Sequence, residues 1–260
     1  MTRSQKDEAF YRSLVAEYNY PFSGWDFSHL NGRMTDDEQP LPWEYREEVK
    51  ALLPHVHSLL DMDTGGGELL ASLQPFPPDT CATEGYPPNI EIARARLEPL
   101  NIRVYAVQDD ENRALPVEDQ RFELVINRHG SFDPRELWRV LKPGGLFVTQ
   151  QVGGNDNIEL NRMLGAPEPK YAGWNCETAV KELQEAGFEI LTQQEAYPVT
   201  RFYDVGALVF YLKVIEWQIP DFSVERYFER LLELHGRIQR EGSIVSHSHR
   251  FFVKARKPTA

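Results

Sequence analysis

The segment Leu59-Leu60-Asp61-Met62-Asp63-Thr64-Gly65-Gly66-Gly67-Glu68 constrains this chain more than any other. It reads as a buried strand that breaks into a glycine loop and runs at once into a helix over 67–73. In an open α/β sheet that junction is where a nucleotide-like ligand binds. Glycine has no Cβ, so the backbone can approach a ligand closely and adopt positive φ. The first helical turn then offers unpaired N–H groups to a carboxylate or phosphate. An ordinary tight turn would use the same residues, so the reading needs support from the rest of the chain.

That support follows in order. From Val56 onward the pattern alternates, with strands at 56–62, 79–84, 102–107, 122–127 and 145–151 and helices at 67–73, 87–99 and 133–141. Such alternation marks βαβ units and a parallel sheet. Pro87-Pro88 suits a first helical turn, and Asp133-Pro134 reads as an N-cap followed by proline. Glu84 ends the second strand about twenty residues past the glycines, the distance expected of a ribose-binding acid. The acidic run Asp109-Asp110-Glu111 follows the third strand, and Leu141-Lys142-Pro143-Gly144-Gly145 precedes the fifth. A helix over 176–186 leads through Gly187 to a strand at 188–197, and a last strand is expected at 247–255.

Taken together, these motifs resemble the class I S-adenosylmethionine-dependent methyltransferases, nearest to the group that includes ubiquinone and menaquinone methylases and many small-molecule methylases. The resemblance covers residues 55–152, and the Leu141–Gly145 turn is its more specific signature. It implies an α/β fold: a Rossmann-like, mostly parallel seven-stranded sheet with helices on both faces and the last strand antiparallel. N-terminal helices and a helical insertion before the last strand would be added to it. The chain is expected to form a single methyltransferase-like domain over 1–260. Its parts would be an N-terminal helical cap (1–54), a cofactor-binding core (55–197), a helical insertion or lid (198–242) and a final strand with tail (243–260). Within the insertion, Val224, Tyr227, Phe228, Leu231, Leu232, His235 and Ile238 fall at helical spacing behind Ser223, a fitting N-cap.

The resemblance also implies roles. S-adenosylmethionine is the expected cofactor. Glu84, with Gly85 beside it, would take the ribose diol. Asp110, then Asp109, would accept from the adenine amino group, with Glu111 completing that run. Asp61 would serve the ligand ammonium, Thr64, Gly65 and Gly67 would form the loop, and Asn127 would lie beside the methionine portion. A solvated acidic turn, a loop-stabilising acid and a strand-end cap are the plainer readings of the same residues. Asp63 departs from the pattern, because it occupies the first of three alternating glycine places. If that position needs positive φ, a non-glycine residue costs about 1–2 kcal/mol. A charge-assisted hydrogen bond from Asp63 to the ligand ammonium would return about 1.5–3 kcal/mol. His129 follows the fourth strand and would face the methyl group in this fold. Imidazole titrates near neutral pH and suits general-base work. A loop histidine that packs or touches the cofactor is the alternative. Trp43 and Tyr45, with Trp25, read either as a cover for the cofactor and acceptor or as core.

Composition narrows the partners. The chain has 260 residues, a formal net charge of −12 and a pI near 5.1. That balance disfavours a broad phosphate-binding surface. The late cluster of Arg237, Arg240, Arg250, Lys254, Arg256 and Lys257 reads as a solvated face. Cys81 and Cys176 alone make neither a disulfide framework nor a zinc cluster, and they read as free thiols in a reducing compartment. His247-Ser248-His249 could be a metal pair, but no carboxylate or cysteine stands at ligand spacing, so no metal is expected. No apolar run reaches the roughly eighteen residues of a membrane span, and the start lacks a signal-peptide core. The expectation is a cytoplasmic enzyme, monomer or homodimer, with a small-molecule acceptor, no membrane partner and no nucleic acid.

Three other readings compete. A non-catalytic S-adenosylmethionine-binding or regulatory protein is kept alive by Asp63. An NAD(P)-dependent oxidoreductase would want G-x-G-x-x-G, but Leu70 stands at the third glycine place and the close helix–strand packing would be lost. RNA methylation by the same domain is opposed by the acidic balance.

Overall fold

The computed structural model describes residues 4–23, 26–36, 39–107 and 114–259. In chain order the strands are β1 (Met34–Thr35), β2 (Ser58–Met62), β3 (Asp79–Glu84), β4 (Arg103–Ala106), β5 (Phe122–Arg128), β6 (Leu141–Val152), β7 (Glu189–Ala196), β8 (Val199–Phe202), β9 (Ile244–His247) and β10 (Arg250–Arg256). The α-helices are α1 (Gln5–Tyr18), α2 (Tyr45–Lys50), α3 (Glu68–Ala71), α4 (Pro87–Leu97), α5 (Pro134–Val140), α6 (Ile158–Leu164), α7 (Cys176–Glu185), α8 (Val205–Val214) and α9 (Val224–Glu241). The chain divides into two compact units, each built from three separate stretches.

The sheet unit comprises Pro42–Val152, Trp174–Glu195 and Arg250–Ala260. Its seven strands run in the order β4-β3-β2-β5-β6-β10-β7. β2 pairs in parallel with β3 and β5, β3 with β4, and β5 with β6, while β10 is antiparallel to β6. This is the mostly parallel seven-stranded sheet expected from the sequence. Every residue of β2 is buried, as a central parallel strand covered on both faces requires. Leu60, Met62, Val125, Phe147, Phe251 and Val253 form one core layer with Leu137 and Val140 of α5 and Ala179 and Leu183 of α7. The Pro-Gly-Gly of the Leu141–Gly145 motif lies inside β6. It absorbs a register shift, since Phe122 faces Leu141 but Leu124 faces Leu146. The chain leaves β2 for β3 and β4 on one side and resumes with β5 on the other. That reversal opens a crevice at the carboxyl ends of β2 and β5, the place where open α/β sheets bind ligands.

The second unit comprises Met1–Leu41, Gly153–Gly173 and Ala196–His249. Its three-stranded antiparallel sheet has the order β1-β8-β9. Helix α1 starts at Ser4, whose hydroxyl accepts the Asp7 N–H, and it turns Leu14 into the core with Phe10 and Val15 packed beside it. Helix α8, Val-Gly-Ala-Leu-Val-Phe-Tyr-Leu-Lys-Val, is apolar on all sides but Lys213 and almost wholly buried. Helix α9 carries the expected stripe, burying Tyr227, Phe228, Leu231 and Ile238, and is capped by Ser223. Arg33 joins Glu17 and Asp204 within this unit. No described helix is long and apolar enough to cross a membrane.

Half of the late cationic cluster pairs with carboxylates. Arg237 pairs with Glu241, Lys254 with Glu48 and Arg256 with Glu189. Lys257 is buried and donates to the carbonyls of Trp138 and Leu141.

Candidate functional site

The glycine loop is held by the ends of β2 and β3. The Asp63 N–H donates to Thr83 Oγ1 at 3.3 Å, and the Thr64 N–H donates to the Thr83 carbonyl at 3.0 Å. Gly65 has φ +64 and Gly67 φ +80, so both take the left-handed conformation that favours glycine. Gly67 is doubly constrained, because a Cβ there would strike the Leu97 side chain of α4. Asp63 adopts φ +54. The conformational cost of about 1–2 kcal/mol for a non-glycine residue therefore applies. Gly130 makes room for it: a Cβ on Gly130 would overlap the Asp63 carboxylate and the Asn127 amide.

Three carboxylates converge on this loop. Asp61 is 3% exposed, and its Oδ2 accepts the Thr64 hydroxyl at 2.6 Å. Burial raises its pKa to about 7; the Thr64 hydroxyl opposes the rise, while nearby Asp63 and Glu84 add to it. Glu84 Oε2 accepts the Gly65 N–H at 2.6 Å, and Oε1 accepts the Tyr86 N–H at 2.8 Å. Burial also raises Glu84, against the pull of the Tyr86, Gly65 and Gly85 backbone N–H groups. Among the described residues no Lys or Arg pairs with Asp61 or Glu84. A ligand that brings positive charge would relieve this repulsion, and the Glu84 carboxylate keeps acceptor capacity for a hydroxyl donor.

A cleft of about 470 Å³ opens beside the loop. Its lining includes Asp63, Glu84, Gly85 and Gly130 together with the apolar or aromatic Tyr86, Val107, Leu115 and Phe132. That size and lining suit a small ligand with one flat apolar part. Asp133 and Glu136 also reach the cleft, but both are engaged. Asp133 caps α5 by accepting the Arg135 N–H, and Glu136 pairs with Arg139.

Asn127 is fully buried and tied into the sheet. Its Nδ2 donates to the Met62 carbonyl at 3.2 Å, while its Oδ1 accepts from Thr149 Oγ1 at 3.1 Å and Gln151 Nε2 at 2.6 Å. His129, exposed and at φ +64, lies one residue beyond β5. Its N–H donates to the Gln150 carbonyl at 2.8 Å, and its Nε2 lies 3.0 Å from Gln150 Nε2. Trp43 and Tyr45 are buried rather than placed on the cleft. Trp43 Nε1 donates to Gln150 Oε1 at 2.8 Å, and the Tyr45 hydroxyl donates to the Asn127 carbonyl at 3.1 Å.

Asp61, Asp63, Thr64, Gly65, Gly67, Glu84, Gly85, Asn127 and His129 thus gather at the carboxyl ends of β2, β3 and β5. Asp109, Asp110 and Glu111 lie outside the described residues, as does Trp25. Sequence reasoning passed over Thr83, Thr149, Gln150, Gln151 and Gly130. The polar run Thr149-Gln150-Gln151 at the end of an apolar strand was the available signal, since buried polar side chains there need partners. His247 finds a carboxylate that spacing did not reveal: Nδ1 lies 2.8 Å from Glu159 Oε1. The described residues nevertheless hold no group of three or more His, Cys, Asp or Glu that could bind a metal.

Residues 60–149 match the family model described as a methyltransferase domain. A candidate methyltransferase from Bacillus halodurans aligns at TM-score 0.57 and 21% identity, over 82% of this chain and 97% of that one. A Deinococcus radiodurans protein of unknown function aligns at TM-score 0.57 and 15% identity, over 97% and 99%. A candidate methyltransferase seen in complex with the Haloferax volcanii methyltransferase activator Trm112 aligns at TM-score 0.51 and 18% identity, over 99% and 100%. At such identities the structural likeness speaks for the fold alone. No curated protein matches the chain in sequence.

Proposed function

We propose that this chain, whose residues 60–149 match a methyltransferase domain, is a class I S-adenosylmethionine-dependent methyltransferase with a small-molecule acceptor, neutral or cationic at the reacting end. The residues at the strand ends fit the cofactor. Glu84 offers acceptor capacity at the cleft, the glycine loop permits close backbone approach, and the apolar lining residues can take a flat base. Asp61 and Asp63 supply negative charge where the ligand's positive groups would be welcome.

When bound, S-adenosylmethionine would supply an electrophilic methyl carbon on a positively charged sulfur, which would leave as the neutral thioether when the acceptor's lone pair takes that carbon. The chain's own work is then alignment. Holding two partners in a reactive geometry can supply about 7–11 kcal/mol of the barrier. The carboxylates hold charge in place, and Val107, Leu115 and Phe132 keep water from part of the cleft.

The observation that carries the acceptor class is charge. The chain bears −12 overall, Arg237, Lys254 and Arg256 of its late basic cluster pair with carboxylates, and Asp63 and Glu84 line the cleft. A polyanion would meet repulsion there. Thermal unfolding with S-adenosylmethionine, S-adenosylhomocysteine, NAD and NADP in parallel tests the cofactor. A ligand at a hundred times its dissociation constant stabilises by about 2.7 kcal/mol, so a shift with the first two alone is expected. A panel of small amines, phenols and thiols, with total RNA as the rival, tests the acceptor. Methyl transfer to RNA, with tight and salt-sensitive binding, would contradict the proposal.

A further inference from the structure

Trp43, Gln150 and His129 form a hydrogen-bonded line inside the sheet unit, and its direction is set at the Trp43 end. An indole N–H only donates. It reaches Gln150 Oε1 at 2.8 Å. The Gln150 amide therefore turns its oxygen to Trp43 and its NH2 to His129, where Nε2 lies 3.0 Å away. An amide NH2 also only donates, so His129 Nε2 must accept and carries no proton. A neutral imidazole keeps one ring proton, which then resides on Nδ1.

The frame around this line is firm. Trp43 is 4% exposed and stacks on Phe252 of β10, with ring centroids 6.0 Å apart. Gln150 is 5% exposed, and β6 fixes its backbone between Arg128 of β5 and Phe252. The Gln150 carbonyl also accepts the His129 N–H, so one residue holds the histidine by both its backbone and its ring. Two buried side chains spent on an exposed ring are more than a loop needs for packing.

We infer that His129 is held as the neutral Nδ1–H tautomer and is not poised as a general base, with Gln150 and Trp43 as positioning residues. Protonating Nε2 would set two donors face to face, and Nδ1 already holds its proton. The neutral ring therefore has no ready site for a further proton.

The test is long-range ¹⁵N–¹H NMR of the histidine rings in the full-length protein at pH 8, without ligand. The His129 signals are identified by their loss in His129→Asn, a residue that tolerates positive φ. The expected pattern is a pyrrole-type Nδ1 and a pyridine-type Nε2. In Gln150→Glu the carboxylate accepts from both sides, so the proton should move to Nε2. In Trp43→Phe the amide loses its anchor, and the Nδ1–H preference should weaken. A wild-type Nε2–H ring, or an Nδ1–H ring unchanged in folded Gln150→Glu and Trp43→Phe, would overturn the inference. The wild-type spectrum decides even if Gln150→Glu fails to fold.

Discussion

Two sets of buried or half-buried carboxylates, one in each unit, are treated in opposite ways. In the second unit, Glu17 and Asp204 share the Arg33 guanidinium, at 2.9 and 2.6 Å. Burial pushes both carboxyls up, but hydrogen bonds from Arg33, and for Glu17 from His29, outweigh it and hold them below their ordinary values. In the sheet unit, Asp61 and Glu84 are buried with only hydroxyl and N–H partners, and both are raised. The first set is complete without a ligand and reads as structure. The second set is left short of positive charge, as expected of groups whose counter-ion arrives with the cofactor.

The largest expected effect breaks the comparison at Asp61. Its folded carboxyl titrates near 7 against an ordinary 3.8, so between those values the folded chain holds a proton that the unfolded chain has lost. Stability from this group is full below the ordinary value and is lost as pH rises through about 7. Asp61→Asn should therefore raise unfolding stability at pH 8, on the order of 2–4 kcal/mol, and leave it nearly unchanged near pH 4. The same variant should weaken S-adenosylmethionine binding by about ten- to a hundredfold, as loss of a charge-assisted contact predicts. Urea unfolding at both pH values, with a binding titration, checks the opposed signs.

Arg33→Met makes the complementary cut. Removing one partner of a fully buried pair costs about 3–5 kcal/mol, but exposure weakens the effect, so about 1–3 kcal/mol is expected. Asp204 is 41% exposed and Glu17 25%, which is the reason for the lower figure. Here the pH sign is reversed. The lowered carboxyls stabilise above their ordinary values and lose that contribution as pH falls through the folded ones, so the variant should lose the wild type's steep acid limb.

Two smaller tests stay within the acidic loop. Gly130→Ala should cost about 1–3 kcal/mol through overpacking against Asp63 and Asn127. Asp63→Gly should restore most of that loss in the double variant, because neighbours in contact do not add independently. Asp63→Gly alone should change cofactor affinity less than tenfold, since lost attraction and relieved strain oppose each other. A gain above tenfold would show that Asp63 is a plain defect.

The sheet unit was far more legible than its companion, for a physical reason. β2 to β6 and their helices follow a local rule: apolar run, loop, helix, repeated, with Asp133 and the Pro87-Pro88 pair marking helix starts. The second unit joins stretches more than a hundred residues apart. Its strands β1, β8 and β9 are two to four residues long and leave little periodic trace. Helix α8 shows no stripe because it is buried on nearly every side. Helix α9 was readable because one face remains wet. At the site, chain position was enough to put the glycine loop and the strand-end residues next to one another. Gln150 and Gly130 were not, since their importance comes from what lies opposite them in space.

The most direct test of the account is calorimetric titration of the protein with S-adenosylmethionine at pH 6.5 in buffers of different ionisation enthalpy. If the cofactor supplies the missing positive charge, binding lowers the Asp61 pKa, most of a proton is released, and Asp61→Asn abolishes the release. Tight binding with no proton release, or the same release in Asp61→Asn, would contradict the account.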